Sequence, residues 1–225
     1  MSLKDRDLLE IELASMIAET LEMEISNRGE AILAVSGGST PKGLFEKLSK
    51  IEIQWKNVTI LPVDDRILSA DHEDQNGTMI RSLLVQNKAA VAKFIPLVYN
   101  ANDKVENLLT ARENIGQLKL PITVALLGMG LDGHTASLFP CSNELKAGLD
   151  LDNPESLINV QPQNAPYDRI SLTASTILDS KKIFLQIFGV DKKDLLEKAR
   201  IDGNPMKYPI NSFLGHEQLK IYWSN

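Results

Sequence analysis

Apolar residues fall along the chain in two patterns, a helical period and short continuous runs, and the two alternate. Leu9, Leu13, Met16, Ile17, Leu21 and Ile25 recur at the three- and four-residue spacing of one helix face. Gly29 follows as a C-terminal stop. Residues 31–35 are wholly apolar and predict a buried strand. That run ends in Ser36-Gly37-Gly38-Ser39-Thr40-Pro41, where Thr40 is predicted to cap a helix opening on Pro41. Further strands are predicted over 58–63, 94–98, 122–127, 169–173, 182–190 and 219–223. Helices are predicted over 78–86, 103–118 and 191–200. Strands alternating with helices imply an α/β fold with a mostly parallel sheet and helices on both faces. In such sheets ligands bind beyond the carboxyl ends of the strands, and most of the reactive side chains here follow strands. The stretch 140–166 is rich in Asn, Asp and Pro and predicts a long surface excursion, with a short strand near 157–160.

A chain of 225 residues that is 43% hydrophobic and 24% charged fits one α/β domain spanning residues 1–225. Its net charge of -6 argues against nucleic acid as a partner, because a phosphate backbone needs a basic footprint. A local pocket can still be positive and take a small anion. Cys141 is the single cysteine, so no intramolecular disulfide forms, which suits a reducing compartment. The first 29 residues are charged and helix-patterned, without the apolar core of a secretory signal. No apolar run approaches the roughly 18 residues of a membrane span. The expectation is a cytoplasmic protein without a membrane partner.

Four constellations carry candidate chemistry. In the first, Gly37 and Gly38 let the backbone approach an anion, Ser39 and Thr40 add hydroxyls, and Lys42 adds charge at a helix start. A phosphate cradle and a plain strand-to-helix turn fit this spacing equally. It is no Walker loop, because no Gly-Lys-Ser/Thr follows at the needed distance. The second is Gly128-Met129-Gly130-Leu131-Asp132-Gly133-His134. It contains a formal G-x-G-x-x-G, but Pro140 stops any helix within one or two turns, which excludes a dinucleotide-binding unit. His134 stands at the predicted start of a short helix over 135–139. Its imidazole can take a proton from water, with Asp132 orienting the ring; the alternative is a surface histidine capping a turn. The third is Asp64-Asp65-Arg66, which can bind sugar hydroxyls or steady an oxyanion, or can be a solvated turn. The fourth pairs Arg169 and Lys192, each able to reach a phosphate and each also an ordinary surface cation. Scattered histidines and the lack of H-E-x-x-H or paired cysteines predict no metal. No G-x-S-x-G elbow supports a serine hydrolase.

Together, segments 34–42, 63–66, 126–140, 169–173 and 189–192 resemble, in order and spacing, the motifs of the 6-phosphogluconolactonase family, the long central block being the most specific. The resemblance implies a Rossmann-like three-layer α/β/α sandwich without NAD or any other cofactor, of the type shared with glucosamine-6-phosphate deaminase and ribose-5-phosphate isomerase. It implies hydrolysis of 6-phospho-D-glucono-1,5-lactone in the pentose phosphate pathway; the expected partner is that small molecule, and the expected assembly is a monomer or small homo-oligomer. The glycine loop, Arg169 and Lys192 would hold the phosphate. His134 would activate water, and Arg66 or backbone N–H groups near Gly130 would stabilise the oxyanion. Asp65 stands where the family usually has glutamate, and Cys141 where glycine is frequent. In the loop after Arg66 the family often has Ser-Asn; here Asn76 keeps the amide and Gln75 replaces the serine. An amino-sugar-phosphate deaminase is the nearest alternative. Those enzymes carry a glutamate where Phe139 stands, and a phenyl ring cannot move a proton. A non-catalytic sugar-phosphate-binding protein is the alternative from another class.

Overall fold

The structure is a computed structural model that describes residues 5–225; residues 1–4 of the N-terminal stretch read above lie outside it. Helix α1 (Arg6–Arg28) is capped by Asp5, whose carboxylate accepts from the N–H groups of Asp7 and Leu8. It ends where predicted, on Gly29 in the left-handed region at φ 82°. Its stripe of Leu9, Leu13, Ile17, Leu21 and Ile25 is buried; each such side chain contributes about 1.5–3 kcal/mol on leaving water. The chain continues through β1 (Ala31–Val35), α2 (Lys42–Leu48), β2 (Val58–Pro62), β3 (Asp64–Arg66), α3 (Asn76–Leu83), β4 (Lys93–Phe94), α4 (Lys104–Gly116) and β5 (Val124–Leu127). There follow α5 (Leu145–Leu149), β6 (Leu157–Val160), β7 (Arg169–Leu172), α6 (Ala174–Leu178), β8 (Lys182–Phe188), α7 (Val190–Asp202), α8 (Asn211–Leu214) and β9 (Leu219–Ser224).

Among the described residues, six strands form one parallel sheet in the order β4-β2-β1-β5-β8-β9. Every residue of β1 and β5 is buried, as expected of strands covered on both faces. Alternate residues of β1 enter two cores: Leu33 and Val35 join the stripe of α1 on one face, while Ile32 and Ala34 join the other. From β1 the chain builds outward through β2 and β4, and from β5 through β8 and β9. The direction of winding therefore reverses between β1 and β5, and such a switch leaves a crevice at the carboxyl ends of the strands.

Several expectations need correction. Asp64-Asp65-Arg66, read as following a strand, is itself a strand rather than a solvated turn, and 169–173 does not extend the parallel sheet. They pair antiparallel as β3 and β7 in a separate three-stranded sheet, β3-β7-β6, with Arg66 opposite Arg169. Val63 joins the two sheets: its N–H donates to Val35 and its carbonyl accepts from Leu172, each at 2.9 Å. Thr40 makes no capping bond, and α2 starts one residue past Pro41. No helix forms over 135–139. Ala136 sits at φ 50°, Thr135 Oγ1 donates to Gly128 O at 2.8 Å, and Ser137 N donates to Ser171 Oγ at 3.2 Å, so tertiary partners take the groups a helix would use. Residues 140–166 hold α5 as well as β6, and the strand predicted over 94–98 is reduced to Lys93–Phe94.

Candidate active site

A cavity of about 320 Å3 opens at the reversal point between β1 and β5. Six segments supply most of its walls. The loop after β1 gives Ser36, Gly37, Gly38, Ser39 and Thr40; β3 and the start of α3 give Asp64, Arg66 and Asn76. The segment after β5 gives Gly130, His134 and Phe139, and β7 and α7 give Arg169 and Lys192. Residues more than a hundred positions apart thus face one space, and His134 shares it with the Gly37–Gly38 turn.

The loop after β1 faces the cavity with open backbone donors. Gly38 lies at φ 87°, a conformation only glycine adopts without strain. A β-carbon on Gly37 would overlap the Asn76 amide. Among the described residues, the N–H groups from Gly37 to Thr40 and the hydroxyls of Ser39 and Thr40 have no partner. Ser36 Oγ accepts from Gly128 N at 3.3 Å and so ties this loop to the one after β5. Lys42 is exposed at the first position of α2 and does not line the cavity.

His134 is held through Asp132. The carboxylate Oδ1 lies 2.5 Å from the ring Nδ1 and accepts from the His134 backbone N–H at 3.1 Å. A carboxylate only accepts, so Nδ1 is the donor of this pair, which in the neutral imidazole leaves the lone pair on Nε2. Burial works to raise the Asp132 carboxyl, but its hydrogen bond and charge interaction with His134 outweigh it and hold the group below the usual carboxylate range. Phe139 packs on the imidazole with ring centroids 4.2 Å apart, and the Arg169 guanidinium stands 5.7 Å from the centre of that phenyl ring. The expected backbone oxyanion donor at Gly130 is not free, because its N–H donates to His134 O at 2.9 Å.

The remaining groups are cationic or carboxylate. Asp64 is buried, and Ser137 Oγ donates to its Oδ2 at 2.5 Å. Arg169 is buried; desolvation, then the charge of Arg66, lowers its affinity for a proton. Burial does the same to Lys192. The Nε atoms of Arg66 and Arg169 are both buried without a partner. Two neighbouring guanidiniums with unpartnered donors lack acceptors, a chemistry suited to an anion. Asp65 does not face the cavity. It accepts from the N–H groups of Asn76 at 2.7 Å, Gly77 at 2.9 Å and Arg66 at 2.8 Å, while Asn76 Nδ2 donates to Asp64 O at 2.8 Å. Gln75, at the substituted position, turns inward to donate to Leu68 O at 2.7 Å. Sequence reasoning gave no role to Ser36, which heads the glycine loop, or to Ser137; their partners lie 92 and 73 residues away. Among the described residues no group of three or more His, Cys, Asp or Glu side chains could hold a metal ion. Nor is any helix long and apolar enough to cross a membrane.

The profile of the family "Glucosamine-6-phosphate isomerases/6-phosphogluconolactonase" matches residues 4–223. A 6-phosphogluconolactonase of Rhizobium meliloti is 36% identical over 214 residues, covering 94% of this chain and 92% of its own. One of Neisseria meningitidis is 37% identical over 212 residues, covering 93% and 91%. The crystal structure of a 6-phosphogluconolactonase from Shewanella baltica superposes with a TM-score of 0.96 at 36% identity, covering 100% of this chain and 96% of that one. A monomeric glucosamine-6-phosphate deaminase shares the fold at a TM-score of 0.81 and 19% identity, so the fold by itself does not select the chemistry. The chain belongs to the glucosamine-6-phosphate isomerase/6-phosphogluconolactonase family.

Proposed function

We propose that the protein hydrolyses 6-phospho-D-glucono-1,5-lactone to 6-phospho-D-gluconate, the lactone-opening step of the oxidative pentose phosphate pathway. The observation that carries this reading is the Asp132–His134 pair facing the same cavity as Arg169, Lys192 and the unpartnered glycine loop. Relatives of 36–37% identity over more than nine-tenths of the chain are named for this activity.

The loop from Gly37 to Thr40, with Arg169 and Lys192, takes the phosphate dianion, which sets the lactone carbonyl near His134. Asp64 keeps Oδ1 for a ring hydroxyl, and Asn76 offers its amide beside it. His134 Nε2 removes a proton from water as the water oxygen attacks C1. The charge that develops on the carbonyl oxygen falls to Arg66, since the Gly130 N–H is engaged. Collapse of the tetrahedral intermediate breaks the bond from C1 to the ring oxygen. That oxygen takes the proton held by His134, and the product is the open-chain acid. Phe139 holds the ring and supplies no second base, which favours ester opening over amino-sugar isomerisation. The acidic surface and single cysteine fit a cytoplasmic enzyme, working as a monomer or small homo-oligomer.

The test is a lactone-opening assay on freshly prepared substrate, corrected for spontaneous hydrolysis. Opening no faster than in buffer removes the proposal, and release of ammonia from glucosamine-6-phosphate would redirect it to the deaminases.

A further inference from the structure

Both guanidiniums of the cavity are tethered to its rim. Arg66 Nη1 donates to the carbonyl of Asp74, and Arg169 Nη2 donates to the carbonyl of Pro166 at 2.9 Å. The two rim segments, 67–75 and 161–168, are joined by Tyr167, whose hydroxyl donates to Asp74 Oδ2 at 2.9 Å. The ring of Tyr167 also meets His72 edge-on, with centroids 6.1 Å apart, and His72 Nδ1 accepts from Asp74 N at 3.1 Å. Below the rim Arg66 and Arg169 are direct register partners in β3 and β7. The contacts close a ring through Arg66, Asp74, Tyr167, Pro166 and Arg169.

Tyr167 has φ 69°, in the left-handed region that bulky side chains seldom occupy. Core burial does not hold it there, because the residue is 41% exposed. Such a conformation persists where the surroundings over-determine it, and an observed outlier of this kind is grounds for a functional hypothesis. The partners that fix it here are Asp74 and His72, both on the opposite rim. The charge of Arg66 opposes that of Arg169, while Asp64, Asp65 and Asp74 act the other way, and each guanidinium leaves Nε unpartnered, so the hydrogen bonds that orient the two heads are those to the rim carbonyls of Asp74 and Pro166.

We infer that Tyr167 is a positioning residue for anion binding: by locking Asp74 and Pro166 together across the cavity mouth, it holds Arg66 and Arg169 in place before the ligand arrives. The inference rests on the reading of the cavity as a sugar-phosphate site. A pre-ordered pair of donors binds more tightly because less freedom is lost on association, so the hydroxyl acts on binding rather than on the chemical step.

Tyr167→Phe removes only the hydroxyl. Calorimetric titration with 6-phosphogluconate and with inorganic phosphate is expected to show Kd raised about three- to tenfold, the scale of one lost hydrogen bond. KM for lactone opening should rise in parallel, with kcat altered less than about twofold. Asp74→Asn keeps an acceptor and should lose less than Asp74→Ala. Adding Tyr167→Phe to Asp74→Ala should cost nothing further, because both remove the same bond. Wild-type Kd and KM in Tyr167→Phe overturn the inference, as does a lowered melting temperature with Kd in place, the signature of a purely structural role. If the wild-type protein opens no lactone, the proposed function fails while the titrations still decide the role of Tyr167.

Discussion

Gly130 lies so close beneath His134 that a β-carbon on it would overlap the imidazole Cε1 and Nδ1, and would crowd Asp132 Oδ1 at 2.7 Å. The backbone ties the same two residues, Gly130 N–H to His134 O. The glycine therefore sets the seat of the ring. Gly130→Ala is expected to displace the imidazole and to lower kcat by about 10²-fold, toward the loss of the general base itself. The melting temperature should change little, since the turn lies at the surface of the site. Wild-type turnover in this variant would show that the ring position is not what the glycine secures.

His134→Ala should lose about 10²–10⁴-fold in kcat, the usual worth of a general base, while 6-phosphogluconate still binds. Asp132→Asn replaces an obligate acceptor with a group that can donate to Nδ1, which permits the wrong tautomer. A buried triad aspartate is worth about 10⁴-fold. Asp132 is about half exposed, so water can partly replace it, and a loss of about 10- to 100-fold is expected. Equal kcat values for Asp132→Asn and wild type would remove the orienting role.

Arg169→Ala and Lys192→Ala should instead act on binding. A charge-assisted hydrogen bond lost to a phosphate corresponds to a rise in KM of about 10- to 100-fold, with kcat much less affected. Added salt should raise the wild-type KM and do so less in the variants, because screening acts on the same charges. Steady-state kinetics at two ionic strengths test this; unchanged KM in both variants would place the phosphate elsewhere.

Asp65 makes stability depend on pH. Burial pushes its carboxyl up to about 6 from 3.8, against the three N–H donors that favour the charged form. The folded state thus holds this proton to higher pH than the unfolded chain does. The associated stabilisation is present below about pH 4 and is lost as pH rises through about 6, an effect on the order of 3 kcal/mol. Asp65→Asn cannot titrate, so its stability should lack this pH dependence. The stability of wild type relative to the variant should fall between pH 4.5 and 6.5 and stay flat above. Urea unfolding across that range measures it, and a gap independent of pH would contradict the assignment.

The elements of the parallel sheet were legible because their signal is local. A wholly apolar run such as 31–35 or 124–127 can only be buried on both sides, and the stripe on α1 with Gly29 after it states both a face and an end. The resemblance of segments 126–140 and 34–42 to a known family likewise needed no coordinates to single out His134, Asp132 and the glycine loop. What the segments do to one another was not legible. Nothing in Asp64-Asp65-Arg66 announces that it leaves the main sheet to pair antiparallel with residues more than a hundred positions later, or that this register sets Arg66 against Arg169.

Local propensity also failed where tertiary partners outbid it. The residues 135–139 read as a helix start, yet their hydrogen-bonding groups go to Gly128, Ser171 and Asp64. Gly130 read as an oxyanion donor until the chain folded back and His134 took its N–H. The amino-acid pattern by itself determined which segments are buried and which reactive side chains follow strands, because hydrophobic period and turn chemistry act over a few residues. Only the tertiary structure decided which of those side chains meet, which donors remain free and which carboxylate is desolvated, because hydrogen bonds and burial depend on neighbours the chain brings from far away.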